Sequence, residues 1–194
     1  FYDNNKGASI TKGKAAMDVR VHYPEKVTPH YIDYFAGPDL EPVQPPTIAE
    51  NATDKRLYFQ TEKTAGTKIV TTLDIHKSDE ISNAVDQKNY KDYIRLAFEN
   101  GTVCYVNTSG KERIDTEDAI SFEGLAYIYN AESSMLVRGK KVIVDGKEII
   151  SSENEASVAI GKEEISVSSF FQFSTVKIAT DYIPSKYILQ RDIN

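Results

Sequence analysis

The chain has no tryptophan, one cysteine and two methionines among 194 residues. A single cysteine excludes an internal disulfide framework and a cysteine-based metal site, since each needs at least a pair. Without tryptophan the usual stacking platform for a sugar ring is missing, although twelve tyrosines could partly take its place. Only three histidines occur, His22, His30 and His76, and they form no His-x-x-x-His pair. There is no glycine-rich phosphate loop and no Gly-x-Ser-x-Gly elbow. No run approaches the ~20 apolar residues of a membrane-spanning helix, and no charged-then-apolar leader is visible.

Basic charge is the minority: 23 Lys and Arg against 29 Asp and Glu give a net charge of -6. The basic residues are dispersed, so no track for a phosphate backbone forms, and nucleic acid is not an expected partner. Proline is scarce except in one place. Six of the seven prolines lie within residues 24–54, a density that prevents a helix or a central strand and reads as a long loop. Long loops without structure are uncommon unless functional. Within this one, His30, Tyr31, Asp33, Tyr34 and Phe35 are the candidate binding residues.

The rest of the chain is patterned with a period of two. Residues 15–23 alternate, with Ala15, Met17, Val19, Val21 and Tyr23 on one face and Asp18, Arg20 and His22 on the other. Residues 68–76 place Ile69, Thr71, Leu73 and Ile75 inward, which leaves His76 with the polar set. His22 and His76 are both expected to be exposed. Residues 78–89 suit one short helix, with Ser78 as cap, Asp79 and Glu80 in the first turn, and Ile81, Ala84 and Val85 on one face.

Three hairpins follow. Asn100 and Gly101 are expected to form a two-residue turn that sets Phe98 opposite Val103, Ala97 opposite Cys104 and Leu96 opposite Tyr105. Asp145 and Gly146 turn a second hairpin, pairing Val144 with Lys147 and Val142 with Ile149. Residues 161–164 turn a third, in which Val158, Ile160, Ile165 and Val167 share a face. Between the first two, Asp115, Glu117, Asp118 and Glu123 lack the spacing of a calcium loop and read as a solvated acidic segment.

The expected fold is mainly β: an antiparallel sandwich or barrel of about ten strands with one short helix. Residues 1–14 read as an N-terminal arm, 15–183 as a β-rich domain carrying the proline-rich loop at 24–54, and 184–194 as a tail. Sequons at Asn51, Asn100 and Asn107 mark sites where a glycan could attach in a secreting host. Cys104 falls mid-strand, where a small buried side chain packs, and no helix N-terminus lies near to activate it.

No catalytic constellation, cofactor or metal site is expected. The functional expectation is a non-catalytic extracytoplasmic subunit of a surface filament, appendage or virion. It would self-associate or bind another surface protein through strand edges and loops. Phe at position 1 fits a processed or trimmed chain. The alternatives are a monomeric binding module using residues 30–35, and a hydrolase using Cys104 or a carboxylate pair.

Overall fold

The computed structural model describes residues 6–32, 56–63, 66–169, 175–179 and 181. The chain divides into two compact units, Phe1–Ser82 and Asn83–Asn194. The fold is mainly β, nearly all antiparallel, and among the described residues no barrel closes. Fourteen strands occur among the described residues, against about ten expected.

The first unit holds a three-stranded sheet and a separate two-stranded ribbon. Strands β1 (Gly7–Lys12), β2 (Ala15–Tyr23) and β5 (Val70–Lys77) lie in the order β1-β2-β5. The expected arm is therefore, from Gly7 onward, a strand of its own sheet: β1 pairs with β2 from Gly7 opposite Arg20 to Lys12 opposite Ala15. Ala8 and Ile10 alternate weakly with polar neighbours, so the hydrogen bonds offered by β2 decide the matter. The ribbon joins β3 (Thr28–Ile32) to β4 (Arg56–Gln60). Pro29 fits there because both strands of a two-stranded ribbon are edges.

The second unit is one nine-stranded sheet. Its strands are β6 (Val85–Asn89), β7 (Tyr93–Phe98), β8 (Val103–Asn107), β9 (Ile114–Asp115), β10 (Ile120–Tyr129), β11 (Ser134–Val144), β12 (Lys147–Ile160), β13 (Ile165–Ser169) and β14 (Val176–Ile178). The main order is β13-β12-β11-β10-β8-β7-β6, with β14 on β12 and β9 on β10. One cross-strand row, Tyr105, Tyr127, Leu136 and Val158, is at most 3% exposed and forms the middle of the core. Ile120, Phe122, Val142, Ile149 and Ile150 belong to the same buried cluster. They lie beyond register shifts at Glu123/Gly124 and between Leu136 and Lys141. Bulges bend strands, and the buried side chains on both sides of these shifts belong to one core cluster.

The helix expected over residues 78–89 is not formed. Ser78 and Asp79 form a turn, and Val85–Asn89 is β6, paired with β7 from Val85 opposite Phe98 to Asn89 opposite Ile94. A helix this short gains little from its own hydrogen bonds, whereas the open edge of β7 satisfies five residues at once. The Ser78 hydroxyl donates to the Gly13 carbonyl instead of capping a helix.

The first hairpin forms with its register moved by one residue. Arg95 faces Tyr105, Leu96 faces Cys104 and Ala97 faces Val103. Gly101 N–H donates to the Phe98 carbonyl and Gly101 has φ +80°, while Asn100 is not left-handed. This is a three-residue loop, a type I turn followed by a left-handed glycine, not the two-residue turn expected. A slip of one residue exchanges faces along the strand. Cys104 consequently shares a face with Leu96, and Tyr105 with Arg95. The second hairpin has left-handed Asp145 and Gly146 and pairs Val144 with Lys147, but a register shift puts Val142 opposite Ile150 rather than Ile149. The third pairs Val158 with Val167 and Ile160 with Ile165.

Candidate interaction surface

The β1-β2-β5 sheet is built with its polarity reversed. In β5 the exposed positions are Thr71, Leu73, Ile75 and Lys77, and the partly covered ones are Val70, Thr72, Asp74 and His76. Leu73 is 61% exposed, Ile75 75% and the preceding Ile69 60%. The inward orientation expected for these apolar side chains is thus overturned. The register extends the apolar face across all three strands: Ile10, Met17 and Ile75 form one row, and Ala8, Val19 and Leu73 the next, in which Ala8 is already buried and Leu73 is the exposed side chain.

Hydrogen bonds on the opposite face account for the reversal. His22, expected to be exposed, is 2% exposed, and its Nε2 lies 2.9 Å from Thr72 Oγ1. His76 Nε2 lies 3.3 Å from Asp18 Oδ2, with side chains only 10% and 14% exposed. His76 Nδ1 is 2.8 Å from the Lys77 carbonyl oxygen. A carbonyl and a carboxylate both only accept, so the imidazolium alone satisfies both contacts. The Lys77 carbonyl, and after it Asp18, hold the His76 proton more tightly than usual despite partial burial. Burial pushes the Asp18 carboxyl up, but Ser9, Ser82 and His76 more than offset it and hold it below the usual range. Asp18 stands directly opposite Asp74, and Ser82 Oγ donates to Asp74 Oδ2 at 2.9 Å. The imidazolium also neutralises two carboxylates that would otherwise repel across the strands.

Of the binding residues expected in the proline-rich loop, His30 and Tyr31 are consecutive in β3 and so point to opposite faces of the ribbon. The His30 ring stacks on Tyr58 with centroids 4.7 Å apart, and Tyr31 is 54% exposed. Asp33, Tyr34 and Phe35 lie outside the described residues, as does Asn51. Asn100 is exposed at its turn, where its Oδ1 accepts from Thr102 N–H. Asn107 is 3% exposed and its Nδ2 donates to the carbonyls of Lys111 and Gly124.

The second unit contains two further features that periodicity does not reveal. The acidic turn before β10 is tied down rather than solvated throughout. Tyr105 Oη donates to Asp118, Tyr90 Oη donates to Glu117, and Arg95 Nε donates to Asp118 at 3.2 Å. Burial and then Asp118 push the Tyr105 phenol far up. The hydrogen bond to Glu117 raises Tyr90 to about 12. Elsewhere, an open groove of about 400 Å³ is lined by Tyr129, Met135, Ile160 and Glu164 among others. Cys104 is a free thiol, pushed up to about 11 by burial, so it is protonated at neutral pH.

Among the described residues no three His, Cys, Asp or Glu side chains are grouped to hold a metal ion, and no helix is long and apolar enough to cross a membrane. No protein-family model matches the chain, and comparison with curated proteins finds no significant relative.

Proposed function

We propose that this chain is a non-catalytic assembly subunit of an extracytoplasmic structure, such as a surface filament, an appendage or a virion, and that it works by presenting surfaces to other protein chains. One observation carries this: the outward apolar face of β1-β2-β5, on which Ile10, Ile69, Leu73 and Ile75 are between 44% and 75% exposed. Apolar area left in water costs about 25 cal/mol per Å² relative to burial. A contiguous sheet face of this kind marks an interaction site more often than a bare surface.

The strand edges add to this. β1 and β5 end the three-stranded order, and β13 and β6 end the main path of the larger sheet. Such edges accept added strands. The protonated Cys104 thiol supports the non-catalytic side of the proposal. The extracytoplasmic placement rests on sequence alone, from the near-complete β patterning of the chain.

Measuring mass in solution over a wide concentration range, with electron microscopy of the same samples, tests the proposal. Species larger than a monomer are expected to grow with concentration. A chain that stays strictly monomeric at the highest concentration attainable would sink it.

A further inference from the structure

We infer that the occupant of the apolar β1-β2-β5 face is the same face of a second copy of this chain, packed sheet on sheet about a twofold axis. The inference rests on the assembly role proposed above and names its partner and geometry.

Two observations select a second copy. The first is area. Ile10, Ile69, Leu73 and Ile75 at their observed exposures, with Thr71, Met17 and Val19 between them, present on the order of 600 Å² of surface, close to the ~800 Å² each partner contributes to a standard interface. The second is charge. The rows Ile10, Met17, Ile75 and Ala8, Val19, Leu73 contain no ionisable group. The charges in the rows that flank them are Lys12 and Lys77, opposite Ala15, at one end and Lys6, whose carbonyl accepts from Val21 N–H, at the other. A charged partner would therefore gain nothing over the two central rows, whereas an identical pleated surface of Ile, Leu, Val and Met can interdigitate with them.

Twofold symmetry sets like against like, as an isologous contact requires. Aligned sheets pack about 10 Å apart with their inner side chains interleaved. The polar face cannot serve instead, because His22, Thr72, Asp18, His76, Asp74 and Ser82 are engaged with one another. Each copy carries a net charge of -6, so pairing through this face works against long-range repulsion that salt screens.

The test uses the full 194-residue chain in sedimentation equilibrium, with Leu73→Glu and the milder Leu73→Ser on the face. Leu125→Glu is the control, an exposed apolar position of the interior strand β10 in the other unit. Far-UV circular dichroism confirms that each variant is folded. The wild type and Leu125→Glu should form a dimer that tightens as salt rises. Leu73→Glu should weaken it at least tenfold and Leu73→Ser by less, both with the wild-type spectrum.

If larger species form and both Leu73 variants leave them unchanged, assembly stands but runs through strand edges, and the inference is overturned. Dissociation on adding salt would also overturn it, since charge would then hold the copies together. A wild type that remains monomeric, and loses thermal stability with Leu73→Ser, would show the face covered by the chain itself and would overturn both proposals.

Discussion

His76 and Asp18 join β5 to β2 through an ion pair with Nε2 and Oδ2 3.3 Å apart, on the side of the sheet away from its exposed apolar rows. The His76 proton is bound more tightly in the folded chain than at the ordinary value of 6.5. Its stabilising effect is therefore complete below pH 6.5 and is lost as pH rises through the raised folded value. Asp18, held below 3.8, acts in the opposite direction, and its contribution is lost as pH falls through the lowered value. Urea midpoints should accordingly be highest between these limits and decline on the alkaline side. His76→Gln should flatten that decline and lower stability at pH 6, where Asp18 and Asp74 are left facing each other.

Gly139 faces Gly124 across β10 and β11 at the register shift. A Cβ at Gly139 would fall within contact distance of the Glu123 carbonyl oxygen, which is backbone and cannot rotate away. Gly139→Ala should cost about 2–4 kcal/mol. Gly146→Ala meets no neighbour and suffers only from its φ of +77°, so about 1 kcal/mol is expected. Chemical denaturation of the two variants side by side checks the order.

Cys104 should resist a thiol reagent at pH 8 in the native state and react promptly in denaturant, because burial keeps the thiol protonated. Fast native labelling would return this residue to consideration as a nucleophile.

Tyr105, fully buried, should not ionise in an ultraviolet titration until the chain unfolds. Tyr105→Phe removes a hydrogen bond to Asp118 while Arg95 still pairs with that carboxylate. A loss of about 1–2 kcal/mol is expected, read from the denaturation midpoint.

Expression in a secreting eukaryotic host should separate two of the sequons. Asn100 is exposed and should carry a glycan, whereas the Asn107 amide is buried and already donates twice. Mass spectrometry of Asn100→Gln should show loss of a glycan, and Asn107→Gln no change in occupancy.

The β class, the extents of most strands and the third hairpin were legible because alternation and turn residues are local signals. Val158, Ile160, Ile165 and Val167 share a face in the structure as the pattern requires. The binding residues expected in the proline-rich loop rested on the length of that loop and on its aromatic and acidic side chains, and only His30 and Tyr31 fall among the described residues. The apolar face was present in the sequence as Ile69, Leu73 and Ile75, but alternation defines two faces without saying which one meets water.

The sequence by itself determined that this chain is antiparallel β, acidic, and without a disulfide or thiolate metal site, because composition and period-two patterning act residue by residue. Tertiary structure decided three matters that depend on distant partners. It made residues 85–89 a strand, since the edge of β7 offered hydrogen bonds that a short helix could not match. It moved the Asn100 hairpin by one residue, which set Cys104 on the face of Leu96. It also turned β5 over, because His76 and Thr72 found partners in Asp18 and His22, fifty or more residues away, and so left Leu73 and Ile75 in water.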